Sequence, residues 1–284
     1  MTNPVSGTAQ PAGTSNLTLR IASAVVLAPI AIGAAYFGGW PFALFWGVAA
    51  IAVLWEWTTL VAGAGHRVMF VSAAGALGIA TFVVWLHRPI AALMMVALAA
   101  FAAAVFAPRR CRAWVIAGVV YAGLMLLAPV VLRDDPDYGL FAIGLLFAIV
   151  WSTDIFAYFA GRTFGGPKLC PAISPKKTWS GAIAGTAGAV LVSLALAHYF
   201  GTFNWIAIAI VALMLSMLSQ AGDLLESWVK RRFGAKDASQ LIPGHGGVMD
   251  RLDGFWAAAV AACVFGVMRD GFDHAARGLL AWSP

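Results

Sequence analysis

Apolar and polar positions form a long-range pattern along the chain, in which apolar runs are separated by short polar segments. Each run has about 20 residues, enough for a helix to cross roughly 30 Å of hydrocarbon. Clusters such as 38–41 and 133–137 separate the runs, because Pro and Gly interrupt helices and charges avoid lipid. The pattern predicts nine transmembrane helices. They are expected near 19–38, 41–62, 68–86, 89–107, 113–132, 139–161, 179–200, 203–222 and 254–269.

Composition indicates a membrane protein. Hydrophobic residues make up 62% and charged residues 11% of the 284 positions, and the mean hydropathy is +0.86. Soluble domains are about half apolar and about a quarter charged, so we expect an all-α, polytopic integral membrane protein in a lipid bilayer. The net charge of +6 does not predict nucleic-acid binding, because the basic residues lie between apolar runs. The cysteines Cys111, Cys170 and Cys263 lack metal-type spacing and are interpreted as ordinary small residues.

The pattern also divides the chain into three parts. Residues 1–17 are rich in Gly, Pro, Ser and Thr and carry no charged side chain, so we expect a disordered cytoplasmic tail. Residues 18–138 are expected to form the N-terminal transmembrane helices. Residues 139–284 are expected to form a catalytic transmembrane region with two cytoplasmic loops, 162–178 and 223–253.

The distribution of Lys and Arg predicts the orientation. If the N-terminus is cytoplasmic, both polar loops are cytoplasmic too, and a nucleotide is available to them. Only four of the 18 basic residues then lie on the other side of the membrane. These four are Arg88, Arg133, Arg269 and Arg277.

Small and charged residues inside the predicted helices leave some alternatives open. Gly181 and Gly185 form a small-xxx-small pattern, which favours close helix packing within the bundle over the seam of a homodimer. Glu56 lies deep in the second span, between Trp55 and Trp57. An intramembrane carboxylate suggests a functional site, but it could equally be bonded to a neighbouring helix or be protonated.

The first polar loop combines cations with glycine and proline. Asp154, Tyr158 and Gly161 have the spacing of one helix face, and the Gly- and Pro-rich stretch after them forbids a continued helix. A loop with cations that precedes a helix N-terminus is suited to phosphates. The alternative, a positive-inside loop that contacts lipid headgroups, explains neither Asp154 nor the glycines. The cations are Arg162, Lys168, Lys176 and Lys177.

The second polar loop holds five of the twelve acidic residues of the chain. Asp223 and Glu226 lie one helical turn apart, and Asp250 and Asp253 repeat this spacing. Such carboxylate pairs need a cation, and their hard oxygen atoms favour magnesium, which typically uses one or two carboxylates plus substrate phosphates. The alternative is a set of surface salt bridges, such as Glu226 with Lys230, worth only a few tenths of a kcal/mol.

The stretch SWVKRRFGAKDASQLIPGHGGVMDRLD, from Ser227 to Asp253, resembles the signature of phosphatidate cytidylyltransferases, also called CDP-diglyceride synthases. The SPKKT run at 174–178, the Asp154 segment and the Gly222-Asp223 pair also look like this family. Ser180 departs from the family, which commonly has Glu there. The signature positions are Ser227, Lys230, Arg231, Lys236, Asp237, Pro243, His245, Gly246, Gly247, Asp250, Arg251 and Asp253.

The resemblance implies that CTP and phosphatidic acid become CDP-diacylglycerol and pyrophosphate at the cytoplasmic face of a bacterial-type inner membrane. It implies magnesium as cofactor, with a second cation such as K⁺, and metal binding by Asp223 and Asp250. The implied substrate-binding residues are Ser174, Lys176, Lys177, Thr178, Ser227, Lys230, Arg231 and Lys236. The implied catalytic candidates are Asp154, Asp237, His245, Arg251 and Asp253.

Other functions were compatible with parts of the pattern. A CTP-dependent lipid kinase of the polyprenol kinase type would share the membrane and phosphate features but transfer the γ-phosphoryl group. Asp250, Asp253 and Gly254 match the start of a CDP-alcohol phosphotransferase motif, whose remaining residues do not follow. An anion transporter would require an internal repeat and broken helices near mid-bilayer, and no clear repeat is present.

Overall fold

The computed structural model describes residues 14–63, 67–201, 204–242 and 246–282, with side chains from Val25 onward. These residues form ten α-helices and one two-stranded hairpin. In chain order the helices are α1 Thr14–Phe37, α2 Gly39–Ala62, α3 Arg67–Trp85, α4 Pro89–Phe106, α5 Arg112–Arg133, α6 Gly139–Thr163, α7 Trp179–Phe200, α8 Trp205–Arg232, α9 Met249–Asp270 and α10 Ala275–Leu280. The strands are β1 Lys168–Cys170 and β2 Ser174–Thr178.

The helices confirm the all-α, polytopic membrane fold. Within the described residues, the eight helices α2 to α9 are long and apolar enough to cross a membrane. The ninth predicted span falls in α1, whose apolar part in the described residues is the shorter segment Val25–Phe37. Helix α1 begins at Thr14, within the segment predicted to be a disordered tail, and residues 1–13 of that segment lie outside the described part.

The second polar loop is shorter than predicted. Helix α8 continues past its apolar run to Arg232, and α9 already begins at Met249, so both ends of the predicted loop 223–253 are helical and the connection between the two helices comprises 233–248. Hydropathy marks only the part of a helix that lies in lipid, whereas Leu, Glu, Lys and Arg continue a helix well in water. Gly234, at φ +73°, then ends α8, because glycine adopts this left-handed conformation without strain.

The first polar loop contains the hairpin, which the sequence did not predict. Strands β1 and β2 pair antiparallel, with Lys168 opposite Thr178 and Cys170 opposite Ser174. The strands have three and five residues, too few for an alternating pattern to be recognised. The hairpin places Lys176 and Lys177 on β2, directly before α7.

Helix α5 lies at the centre of the N-terminal half, and most of its apolar window is buried. It packs against α2, α4 and α9. Aromatic rings fill the contact between the two halves of the chain: Trp46 of α2 stacks on Phe255 of α9 with ring centroids 4.9 Å apart, and Tyr121 of α5 stacks on Trp256 at 4.1 Å. The N-terminal helices therefore support α9 directly.

Close packing of α6 against α7 uses the glycine pattern. A Cβ added at Gly181 would lie 2.8 Å from the carbonyl oxygen of Ala157, and one at Gly185 would lie 2.7 Å from that of Thr153. Only glycine allows the two backbones to approach this closely. The prediction of packing within the bundle is confirmed, and the homodimer stays a prediction.

Candidate functional site

The two polar regions of the sequence meet at one end of the bundle. Lys177 on β2 donates to the carboxylate of Asp223 on α8. Thr178 fixes the start of α7, because its Oγ1 accepts a hydrogen bond from the backbone N–H of Gly181 at 3.2 Å and so serves as N-cap. The ion pair thus joins the hairpin and the N-terminus of α7 to the polar end of α8.

A cavity of about 580 Å³ opens beside this ion pair. The predicted face of α6 borders it, since Asp154, Tyr158 and Gly161 all line the cavity. Its charged lining combines both signs. The charged residues are Asp154, Arg162, Lys176, Lys177 and Asp223.

Helices α8 and α9 bring further carboxylates to the same region. Gly222 lets the helices touch, because a Cβ there would lie 2.7 Å from the carbonyl oxygen of Asp253. The carboxylate of Asp253 consequently feels the charges of Asp223 and Asp154, while its Oδ1 accepts a hydrogen bond from the N–H of Gly254 at 2.7 Å. Carboxylates from α6, α8 and α9 therefore lie near enough to repel one another, and two of them, Asp154 and Asp223, lie beside the cations of the cavity.

A buried ion triad lies further along α8. Lys230 Nζ forms an ion pair with Glu226 Oε2 at 2.6 Å and donates a hydrogen bond to Asp250 of α9. The predicted pair of Glu226 and Lys230 is confirmed, but its description as a surface salt bridge was wrong: the side chains are only 0% and 11% exposed. Because ionised groups lose hydration when buried, each member of the triad depends on its partners.

Asp250 also organises the connection between α8 and α9. Its Oδ2 accepts hydrogen bonds from the backbone N–H groups of Ala238 at 3.0 Å and Gly247 at 2.8 Å. With Lys230 on its other oxygen, this carboxylate holds both ends of the loop that carries the sequence signature.

The remaining predicted site residues belong to β2, α8, α9 and the connection between these two helices. Ser227 donates to Asp223 at 3.4 Å, and Ser174 begins β2 opposite Cys170. Arg231 is exposed and donates to the carbonyl oxygen of Ala235 at 3.0 Å. The exposed predicted residues also include Lys236, Asp237 and Arg251. His245 and Pro243 lie outside the described residues, so their predicted roles stay predictions.

Gln220 was missed by the sequence interpretation although it lines the cavity. It lies on α8 one turn before Asp223, and its side-chain amide donates to Thr186 of α7 at 2.9 Å. The three-residue spacing from Asp223 was the available signal, since residues three apart share a helix face.

Comparisons with known proteins point in the same direction. The model of the cytidylyltransferase family matches residues 18–268. A phosphatidate cytidylyltransferase of Brucella abortus biovar 1 (strain 9-941) is 43% identical over 257 residues, which cover 89% of this chain and 94% of the relative. The protein of that name from Haemophilus influenzae is 42% identical over 142 residues, covering 48% of this chain and 49% of the relative. The one from Rickettsia prowazekii is 47% identical over 119 residues, covering 39% and 52%.

Proposed function

The chain belongs to the cytidylyltransferase family, and we propose that it is a phosphatidate cytidylyltransferase, which converts CTP and phosphatidate into CDP-diacylglycerol and pyrophosphate. One observation of the structure carries the proposal: the SPKKT strand and the signature helices meet in the Lys177–Asp223 ion pair beside a cavity of mixed charge. The cations of this site can bind the phosphates of both substrates. Its position at the end of membrane-spanning helices makes the site accessible to a lipid.

The reaction is a substitution at phosphorus. An oxygen of the lipid phosphate forms a bond to the α-phosphorus of CTP, while the bond from that phosphorus to the bridging oxygen breaks and pyrophosphate leaves. The second pKa of a phosphomonoester is about 6, so the attacking oxygen is already anionic near neutral pH. The site therefore needs no strong general base, and catalysis comes from positioning and charge stabilisation.

The cations of the cavity suit these tasks. Lys176 and Lys177 extend from a short strand with restricted backbone freedom, and Arg162 lines the same cavity from α6. A guanidinium can bind phosphate oxygens through two parallel hydrogen bonds, whereas an ammonium acts as a compact charge. In this arrangement the three residues bind the phosphates of the substrates and reduce the repulsion between two anionic reactants.

The location suits a lipid substrate. The cavity is lined by the ends of α6, α7 and α8, so the phosphate of phosphatidate can enter while its acyl chains stay in the bilayer. The excess of Lys and Arg at this end of the helices favours the cytoplasmic side of a bacterial inner membrane, where CTP is available.

The carboxylates fit the magnesium that the family resemblance implies. The negative charges of Asp154, Asp223 and Asp253 repel one another, and hard oxygen donors suit this ion. The described residues hold no preformed group of three acidic, His or Cys ligands, and magnesium needs only one or two carboxylates when phosphates complete its shell. Asp223 would bind the magnesium ion, and the ion would neutralise negative charge on the leaving pyrophosphate. The predicted role of Asp250 requires exchange of its present hydrogen bonds, and a second cation stays a prediction.

Labelled CTP tests the proposed reaction against transfer of the γ-phosphoryl group. The purified protein is incubated with phosphatidate, magnesium and CTP that carries ³²P at either the α or the γ position. We expect label in the lipid fraction from α-labelled CTP alone, because only cytidylyl transfer keeps the α-phosphorus. Label in the lipid from γ-labelled CTP would identify a kinase instead.

A further inference from the structure

Glu56 on α2 is the one acidic residue of the N-terminal hundred positions, and it is fully buried. Its side chain contacts the connection between α8 and α9, more than 180 residues later in the chain. Oε1 accepts hydrogen bonds from Ser239 Oγ at 2.6 Å and from the N–H of Val248 at 2.7 Å. Oε2 accepts one from the N–H of Met249 at 2.7 Å. Each oxygen is thus bonded to the signature segment.

These contacts give α9 a cap from another helix. Val248 is the N-cap residue of α9 and Met249 its first residue, and α9 has no side-chain cap of its own. The first N–H groups of a helix lack partners within the helix and carry partial positive charge. The Glu56 carboxylate, itself fully buried, accepts hydrogen bonds from two of these donors.

Gly247 has a role in the same contact. A Cβ added at this position would lie 2.7 Å from Glu56 Oε1 and 3.0 Å from the Cβ of Ala238. The absence of a side chain therefore lets the carboxylate reach the helix N-terminus. This close approach explains the glycine at this position of the signature: the side chain that occupies the space belongs to α2, in the N-terminal half of the chain.

The fixed end of α9 carries site residues. Asp250, in its first turn, pairs with Lys230 and accepts a hydrogen bond from the N–H of Gly247. Asp253 lies one turn further along α9, within repulsive range of the Asp223 charge. Glu56 and Asp250 thus both accept hydrogen bonds from the same short segment. A displacement of about 1 Å can lower a reaction rate 100-fold when it misaligns reacting groups.

We propose that Glu56 is a positioning residue for nucleotidyl transfer: it fixes the N-terminus of α9 and, through it, the geometry of Asp250, Lys230 and Asp253. The kinetic consequence of this inference rests on the proposed function, whereas the hydrogen bonds of Glu56 do not depend on it. Among the described residues, the hydrogen-bond partners of Glu56 do not include any residue that lines the cavity, so its effect on the reaction passes through the segment it holds.

Glu56→Gln is the first test, because glutamine keeps the size of the side chain but turns an amide N–H toward a backbone N–H. Thr58→Val is the matched control: Thr58 is buried on the same helix, and its hydroxyl donates only within α2, to Leu54 at 2.8 Å and Trp55 at 3.2 Å. Ser239→Ala is a milder variant: it removes one of the hydrogen bonds to Glu56, together with the acceptor of the Leu241 N–H within the connection, and leaves the helices unaltered.

We expect Glu56→Gln to lower kcat about 100-fold and to raise KM for CTP, with Glu56→Asp intermediate and Thr58→Val near wild type. Ser239→Ala should lower kcat/KM about 2- to 10-fold, the equivalent of one hydrogen bond. Loss of folded protein alone would lower kcat at unchanged KM, so the rise in KM separates positioning from instability. Wild-type kinetics in both Glu56→Gln and Ser239→Ala, or an unchanged KM with reduced kcat, would overturn the inference.

Hydrogen exchange of the peptide that spans residues 246–250 gives a readout independent of the reaction. Exchange of the Val248 and Met249 amides should accelerate in Glu56→Gln and stay at the wild-type rate in Thr58→Val. Equal protection in all three proteins would contradict the positioning role even if the substrates were wrongly assigned. A wild-type protein that is inactive on CTP and phosphatidate but shows this change would instead refute the proposed function and leave the positioning contact in place.

Discussion

Lys230→Met is expected to abolish activity and to lower the free energy of unfolding by about 3–5 kcal/mol, the cost of removing one partner from a buried ion pair. Lys230 is the shared cation of Glu226 and Asp250. Without it, two carboxylates in a region of low dielectric repel each other, and Asp250 loses the contact that orders one of its oxygens. Thermal unfolding in detergent and kinetics on the same preparation measure both effects.

Two further variants make this expectation specific. Lys236→Met removes an exposed lysine of the same connection, and its stability should stay within about 0.5 kcal/mol of wild type, as is usual for surface substitutions. The double variant Lys230→Met with Glu226→Gln removes the repulsion and should recover part of the stability but not the activity. Wild-type stability of Lys230→Met would show that the triad does not hold α8 to α9.

Asp223→Asn is expected to lower kcat about 10²- to 10³-fold, the size of effect produced by removing a preorganised electrostatic contact, while the fold stays intact. Asp223 lines the cavity, its side chain is 33% exposed, and it joins Lys177 to the polar end of α8. Asparagine preserves the shape but removes the charge that Lys177 and magnesium would share. The magnesium concentration for half-maximal activity should rise together with the fall in kcat.

Asp273→Asn is the control, because Asp273 is exposed beyond α9, at the opposite end of that helix from the site. It should show wild-type kinetics and magnesium dependence. If Asp223→Asn gave the same result as this control, Asp223 would have no role in the reaction.

The membrane fold could be predicted from sequence because hydrocarbon imposes a length and a composition on every spanning helix. The helix bounds in the polar region could not be predicted in this way, since Asp223 and Asp250 lie in polar ends of α8 and α9 that hydropathy does not mark. The small helix α10 was also missed. It is held by tertiary contacts, such as the hydrogen bond from the N–H of Arg277 to Asp135 at 2.8 Å, and has too few residues for periodicity to show.

The sequence signature identified the candidate site residues, but it did not predict how they are arranged in space. The sequence suggested a surface pair for Glu226 and Lys230, because a four-residue spacing fixes a helix face but not whether that face is buried. Likewise, Glu56 was recognised as unusual, but no local pattern connects it to Val248 and Met249, which are about 190 positions away and come close only when α2 packs beside α9. Long-range polar contacts of this kind follow from the packing of the whole bundle.

The most direct measurement offers the purified protein each of the four nucleoside triphosphates in turn, with phosphatidate and magnesium, and identifies the lipid product by mass spectrometry. The account predicts CDP-diacylglycerol from CTP alone, with one pyrophosphate released for each lipid formed. A phosphorylated lipid accompanied by CDP, or conversion with every nucleotide alike, would contradict it.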